Sequence, residues 1–282
     1  MDEAGRLGID THVLEPGDDP VQVCEAAVAE GATALGAASG DGMLGAVAGV
    51  AIEAGLPFVS VPFGTRNHFA RDAGFDLGDP LGALAAFRDG RELQVDAARV
   101  EERVFLNNVS LGVYAQLVHD PQHKTKNRIV ALGRLFTAAF GRSRRRLDVL
   151  FEADGTRERH DVVVMLVSNN AYGLEPGEEL GCRERLDEGL LYAYVVEAET
   201  RWALVKLLFR AALGRVETGA GWAEYSAPSF RVSSNRSRLH AAVDGEAVVL
   251  GSSLDLEILP QALRVLIPTG SRDADEDAGG RP

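Results

Sequence analysis

The stretch ATALGAASGDGMLGAVAGVAIEAGLPFVSVPFGTRNHFAR, residues 32–71, decides the fold of this chain. An apolar run at residues 32–38 ends at a glycine turn, and residues 43–54 then carry apolar side chains at helical spacing. A second apolar run, at residues 57–62, ends at another glycine turn. A right-handed crossover returns the second strand beside the first. The pattern therefore predicts neighbouring parallel strands, with both turns at one edge of the sheet.

The two glycine turns predict a phosphate site, because glycine permits close backbone approach and a helix N-terminus attracts anions. Two alternatives remain open. Gly40-Asp41-Gly42-Met43-Leu44-Gly45 also matches the GxGxxG dinucleotide pattern, but Pro62-Phe63-Gly64 stands where that pattern needs an acidic residue. The second alternative is a turn that only joins the strand to the helix. It explains Gly42 but gives no role to the charged side chain of Asp41.

Composition limits the classes of function. The 282 residues can form two domains, and their formal net charge of −13 argues against nucleic acid as a partner. No apolar run is long enough to cross a bilayer, and no secretory signal is visible at the N-terminus. Two cysteines, Cys24 and Cys182, are too few for a disulfide framework. We therefore expect a cytoplasmic protein.

The secondary-structure pattern changes near residue 92. Before it we predict a short strand at residues 9–14 and helices at residues 21–30, 67–73 and 80–87. After residue 92 we predict mainly short strands, interrupted by helices at residues 127–140 and 201–213. We predict domains at residues 1–91 and 92–270, and a disordered acidic tail at residues 271–282. The strands predicted in the second domain are residues 104–111, 147–153, 162–168, 191–197, 229–233, 238–243, 254–259 and 263–268.

The two turns resemble paired motifs of the diacylglycerol kinase catalytic family, which includes bacterial lipid kinases and sphingosine kinases. Ser39-Gly40-Asp41-Gly42-Met43 is similar to GGDGT, and Pro62-Phe63-Gly64-Thr65-Arg66-Asn67-His68-Phe69-Ala70 is similar to P-x-GT-x-ND-x-A. Further matches follow in order at residues 104–112, 186–190 and 243–246. The resemblance covers about residues 9–268.

This resemblance implies an α/β N-terminal domain with a parallel sheet, of the NAD kinase and diacylglycerol kinase type, followed by a β-sandwich-like domain. It places the active site in the cleft between them. The implied reaction is ATP-dependent phosphorylation of a lipid hydroxyl, with diacylglycerol converted to phosphatidic acid as the first reaction to test. ATP and Mg²⁺ are the implied cofactors.

The same resemblance assigns candidate site residues. It implies Glu246 as the general base; an ordinary hairpin turn with a solvated Glu is the alternative. Glu188, with the backbone carbonyls of Arg185 and Leu190, matches a structural magnesium segment; an exposed acidic turn is equally compatible. Asp41 is the second catalytic candidate, acting on the nucleotide or through its Mg²⁺. The implied ATP-binding residues are Ser39, Gly40, Asp41, Gly42, Met43, Thr65 and Asn67.

Several positions depart from the family pattern. Met43 stands where Thr is common, Gly45 and Ala46 replace an Asn-Glu pair, and His68 replaces the usual Asp. The strand with which family members open is not visible, so we expect either a truncated chain or an incomplete nucleotide site. The alternative function is therefore a catalytically impaired relative that binds lipid or nucleotide.

A basic segment follows the first predicted helix of the second domain. Its arginines form either a solvated surface or a dock for anionic headgroups, and the second reading places the protein at the inner face of the cell membrane. The sequence leaves the oligomeric state open, a homodimer included. The arginines are Arg142, Arg144, Arg145 and Arg146.

Overall fold

The computed structural model describes residues 2–112, 147–153, 155–173, 181–197 and 221–269. The chain forms two compact units, Met1–Ala97 with Pro260–Pro282, and Ala98–Leu259. The sequence had placed a single boundary near residue 92 and had assigned everything up to residue 270 to the second domain. The helices predicted at residues 127–140 and 201–213, the basic segment and the acidic tail lie outside the described residues.

The first unit is an α/β structure with a parallel sheet, as predicted. β1 (Leu35–Ser39) pairs with β2 (Phe58–Pro62) in parallel, with Leu35 opposite Phe58 and Ser39 opposite Pro62. β2 also pairs in parallel with the last part of β14 (Ser253–Pro268). The helices are α1 (Asp2–Arg6), α2 (Pro20–Ala29), α3 (Asp41–Ala54), α4 (His68–Asp72), a 3₁₀ helix at Gly82–Ala85 and α5 (Ala86–Asp89).

Local sequence signals explain where the longer helices begin and end. Asp19 caps α2, because its side chain accepts the backbone N–H of Val21 at 3.0 Å. Gly55 ends α3 in the left-handed conformation, with a φ of 65° that glycine adopts without a steric cost. Between these ends, α3 buries Leu44 and Val47.

The strand predicted at residues 9–14 is wrong, since these residues form neither helix nor strand. Val13 is 65% exposed, and the segment buries no side chain. A run of apolar residues forms a strand only when a neighbouring strand provides hydrogen-bond partners for its backbone N–H and C=O groups. This run pairs with none of the described strands.

The second unit is a β-sandwich, which confirms the predicted fold class. One sheet is entirely antiparallel, in the order β10-β9-β8-β5-β12-β13. In the other, β7, β6, β11 and the first part of β14 form an antiparallel ladder, and the end of β3 pairs with β4. The strand bounds are β3 (Gly90–Val100), β4 (Arg103–Phe105), β5 (Asn108–Gly112), β6 (Leu147–Ala153), β7 (Thr156–Val162), β8 (Val164–Asn169), β9 (Leu191–Val196), β10 (Trp222–Ala227), β11 (Ser229–Ser234), β12 (Leu239–Val243) and β13 (Glu246–Leu250).

Large apolar side chains from both sheets fill the core of this unit. Phe151 on β6 is 2% exposed, and its ring lies 4.8 Å from the rings of both Phe230 and Tyr225. Met165 and Leu191 enter the same cluster from the six-stranded sheet. Across the described part of the chain, no helix combines the length and apolar character that spanning a membrane requires.

Candidate functional site

The two glycine turns of the first unit touch each other. Gly40 caps the start of α3, and Gly64 follows β2. A Cβ atom added to Gly64 would overlap the Cα of Gly40 and would lie 2.6 Å from the Oδ1 of Asn67. Only glycine at position 64 allows the two backbones to approach this closely. The parallel pairing of β1 and β2 therefore places the turns together, as the sequence predicted.

Asp41 joins the first turn to the second. Its carboxylate accepts the backbone N–H of His68 at 3.1 Å and that of Phe69 at 3.1 Å. The side chain is 11% exposed. Charge-assisted hydrogen bonds of this kind are stronger than neutral ones. Asp41 therefore anchors the start of α4, a positioning role that gives a purpose to the charged residue between two glycines.

The other predicted nucleotide-binding residues lie on the same two turns. Asn67 is buried, has a φ of 51°, and holds Gly64 at both backbone groups, accepting its N–H at 2.8 Å and donating to its carbonyl at 3.0 Å. Thr65 is exposed, while Ser39 uses its hydroxyl on the Gly40 carbonyl at 3.0 Å. Asn67 thus shapes the turn, whereas Thr65 is open to a ligand.

His68 lies beside Asp41 without forming a close ion pair. The Nδ1 of His68 is 4.0 Å from a carboxylate oxygen of Asp41. Burial lowers the pKa of His68, although the Asp41 charge acts in the opposite direction. Asp72, the last residue of α4, is 1% exposed at its side chain and binds Arg71 at 2.8 Å. The imidazole is therefore the polar group that stands in the family's Asp position.

Glu246 lies at the end of a tight hairpin in the second unit. β12 and β13 are joined by Asp244 and Gly245, whose φ values of 47° and 84° are those of a type I′ turn. Glu246 is the first residue of β13, faces Val243 across the hairpin, and is exposed. The carboxylate is accessible to a substrate, as a general base requires.

Asp244, which no prediction had singled out, is buried and binds the backbone of a corner that is distant in sequence, at residues 106–108. Its carboxylate accepts the backbone N–H groups of Leu106 at 2.8 Å, Asn107 at 2.8 Å and Asn108 at 2.9 Å. Leu106 and Asn107 form the break between β4 and β5, so the single strand predicted at residues 104–111 is wrong. The Asp-Gly pair indicated the turn in the sequence, but the backbone N–H groups that the Asp244 carboxylate binds lie more than 130 residues away.

The predicted magnesium segment is a loop closed by protein hydrogen bonds. Glu188 accepts the backbone N–H of Ala171 at 3.0 Å, and the carbonyl of Leu190 accepts that of Asn170 at 3.1 Å. The side chain of Arg185 donates to Asp187 at 3.0 Å. Within the described ranges, no three His, Cys, Asp or Glu side chains gather as metal ligands. The predicted Mg²⁺ ligands therefore remain the carboxylate of Glu188 and the backbone carbonyls of Arg185 and Leu190.

Comparisons with known proteins agree with this arrangement of motifs. Residues 3–100, which contain both glycine turns, match the family described as the diacylglycerol kinase catalytic domain. A Pseudomonas fluorescens protein named "Probable lipid kinase YegS-like" is 30% identical over 260 residues, which is 90% of this chain and 83% of the relative. The chain belongs to the diacylglycerol kinase catalytic domain family. The P. fluorescens relative is named as a probable lipid kinase.

Two further relatives extend the likeness. A protein named "Diacylglycerol kinase" from Staphylococcus aureus (strain JH9) is 27% identical over 217 residues, covering 74% of this chain and 67% of the relative. A crystal structure from Bacillus anthracis str. Sterne, titled as that of a diacylglycerol kinase, matches with a TM-score of 0.63 at 17% identity. That match covers 93% of this chain and 85% of the other. The structural likeness confirms the fold.

Proposed function

We propose that this protein is an ATP-dependent lipid kinase that phosphorylates diacylglycerol to phosphatidic acid. The observation that carries the proposal is the junction of the two glycine turns, in which Gly64 packs on Gly40 and Asp41 holds the start of α4. Membership of a family whose relatives are named lipid kinases supports a phosphoryl donor at this junction. The S. aureus relative's name supports diacylglycerol as the acceptor to test.

Phosphoryl transfer relies on positioning and on electrostatic stabilisation more than on covalent chemistry by the protein. In the proposed reaction, the lipid hydroxyl oxygen bonds to the γ-phosphorus of ATP as the bond to the bridging oxygen breaks, so ADP leaves. Glu246 accepts the hydroxyl proton. The backbone from Ser39 to Met43 holds the phosphates, with the exposed Thr65 hydroxyl as a further donor.

The residues of the first unit fit a nucleotide-bound Mg²⁺. A carboxylate is an oxygen ligand of the kind that Mg²⁺ takes in proteins, and that of Asp41 is held at the junction by the N–H groups of His68 and Phe69. Protein Mg²⁺ is commonly held by one or two carboxylates together with substrate phosphates and water, which suits a site without a carboxylate cluster. When bound, the ion neutralises charge that develops on the phosphates. The proposed task of Asp41 is to hold that ion while it fixes α4.

The proposal extends to the membrane and to the loop at Glu188. We propose that Arg142, Arg144, Arg145 and Arg146 attract anionic headgroups, since each basic side chain near such a surface contributes about 1 kcal/mol. We also propose that Glu188, with the carbonyls of Arg185 and Leu190, holds a structural Mg²⁺. Its Glu side chain is one methylene longer than the family's Asp.

The experiment that tests the function measures ADP release from ATP and Mg²⁺ with mixed micelles of diacylglycerol. We expect release that depends on the lipid and falls by about 100-fold or more in Glu246→Gln, the scale of general-base catalysis. Glu102→Gln, an exposed Glu of the same unit, is the matched control and should retain the wild-type rate. Absence of lipid-dependent release from the folded wild type would contradict the proposal.

His68 favours a second candidate function, binding without turnover. Its half-buried imidazole has replaced an acceptor-only carboxylate beside Asp41. A binding protein of this kind would be stabilised by ATP with Mg²⁺ in a thermal shift experiment, yet would release no ADP. His68→Asp together with Met43→Thr would then be expected to create turnover. A kinase shows release without either change, so the two functions are separable.

A further inference from the structure

The backbone corner at residues 106–108, which the Asp244 carboxylate binds, also binds a buried cation. Arg183 is 3% exposed, and its Nη1 donates to the carbonyl of Leu106 at 2.6 Å and to that of Asn169 at 3.0 Å. The Nη2 of Arg183 donates to the Oδ1 of Asn107 at 2.7 Å. A planar guanidinium presents several donors in a fixed fork, so it fixes the direction of these groups as well as their distance.

Asp244 and Arg183 thus bind the same corner through different groups. The carboxylate takes the N–H groups of Leu106 and Asn107, while the guanidinium takes the Leu106 carbonyl and the Asn107 side chain. Burying either charge is costly unless hydrogen bonds compensate for the lost water. Removing either side chain therefore takes away the hydrogen bonds that it makes to the corner. We call this pair and residues 106–108 the corner latch.

The latch reaches Glu246 through the hairpin turn. The backbone N–H of Asp244 donates to the carbonyl of Asn108 at 2.9 Å, so both backbone and side chain tie the turn to the corner. Glu246 lies two residues further on, in β13, the outer strand of the described six-stranded sheet. Within the described sheet β13 pairs with β12 alone, so fewer hydrogen bonds hold β13 than hold the inner strands. An anchor at its turn limits fraying at the end that carries Glu246.

We propose that Asp244 and Arg183 are positioning residues that hold the Glu246 carboxylate where it accepts the proton of the acceptor hydroxyl. This inference rests on the proposed function, because it assigns Glu246 the role of base. The latch touches no reacting atom. It acts through the turn, and its loss displaces Glu246 without altering the nucleotide-binding turns of the first unit.

The test compares Asp244→Asn with Asp255→Asn in the full chain. Asn keeps one acceptor oxygen but places an N–H₂ group opposite the remaining backbone donor, whereas Asp255 lies on the surface and pairs with Arg231. Amide hydrogen exchange is read at residues 104–110 and 243–250. ADP release is measured in the wild-type background and in the Glu246→Gln background, as a double-mutant cycle. Arg183→Lys, which keeps the charge but loses the fork, perturbs the same corner independently.

For Asp244→Asn and Arg183→Lys we expect faster exchange in both segments, with no change in Asp255→Asn. The kcat should fall about tenfold or more while the KM for ATP stays within about twofold, and no further loss should occur in the Glu246→Gln background. Unchanged exchange at residues 243–250 would overturn the inference. So would faster exchange with an unchanged kcat, or an equal loss in both backgrounds.

Failure of the proposed function gives a different result. If the wild type releases no ADP with any lipid, the role of Glu246 as base is lost and the inference is overturned with it. The exchange data would still establish whether the latch holds the hairpin. If the wild type is active and the latch variants lose no kcat, the function stands and only the positioning role fails.

Discussion

Gly40 and Gly64 approach each other so closely that a Cβ atom on Gly64 would overlap the Cα of Gly40. The Cα of Gly40 is a backbone atom, so it cannot move aside as the end of a flexible side chain would. The added atom would also crowd the Oδ1 of Asn67 at 2.6 Å. The separation of the two turns is therefore set at this contact.

Gly64→Ala should separate the turns and weaken nucleotide binding. We expect the thermal shift produced by ATP with Mg²⁺ to shrink or vanish, because the turns no longer present their N–H groups together. Gly5→Ala is the matched control, since a Cβ there meets nothing within 4 Å. An unchanged ATP shift in Gly64→Ala would place the nucleotide elsewhere.

Asp41→Asn should abolish turnover while the protein stays folded. Asn has a single acceptor oxygen, so the N–H of either His68 or Phe69 loses its partner. A lost bond to a charged group costs about 1.5–3 kcal/mol, which urea unfolding should detect. Asp89→Asn, an exposed Asp of the same unit, should change neither quantity. A near-normal rate in Asp41→Asn would remove this residue from the site.

Phe151→Ala should destabilise the sandwich by about 3–5 kcal/mol, the usual cost of deleting a buried aromatic ring. Phe151 is 2% exposed and contacts the rings of Phe230 and Tyr225. Phe63 is 57% exposed, so Phe63→Ala should stay within about 0.5 kcal/mol of the wild type. Urea unfolding of the two variants measures both values, and equal losses would contradict the assigned core.

The ion pair between Glu92 and Arg264 should make a small contribution to stability that depends on pH. The hydrogen bonds from Arg264, at 2.9 and 2.7 Å, lower the pKa of the Glu92 carboxyl in the folded protein. Stability from the pair is therefore present above the ordinary carboxyl pKa of about 4.3 and is lost as the pH falls through the lower folded value. Glu92→Gln should shift the urea midpoint at pH 7 and shift it less at pH 3. A shift of equal size at both values would exclude this cause.

The sequence predicted the elements around the glycine turns because the signals there are local. Short apolar runs end at glycine, and the helix between them has regular spacing, so β1, α3 and β2 were predicted nearly in full. The same signals brought Gly40, Asp41 and Asn67 together at one sheet edge. The Asp-Gly pair indicated the tight turn that precedes Glu246, but the strand that begins at Glu246 was not predicted.

The predictions that failed depend on distant contacts. Residues 254–259 and 263–268 were predicted as two strands, but the structure has one strand, Ser253–Pro268. Gln261 takes a φ of 48°, and its N–H is satisfied by the buried Asp96 at 2.8 Å, so the strand continues past Pro260. The corner latch joins Arg183 and Asp244 to residues 106–108 in the same way. No local pattern records such partners.

The course of β14 has a consequence for how the chain is made. Residues 260–268 return to the first unit, where Val265 pairs with Phe58 and is fully buried. When residues 1–97 have emerged from the ribosome, the strand that flanks β2 has therefore not yet been synthesised. The first unit stays without that strand until almost the whole chain has emerged, whereas residues 98–259 are complete earlier. The first unit is therefore completed only after residues 98–259 have been synthesised, and a stop codon before residue 260 removes the strand segment that pairs with β2.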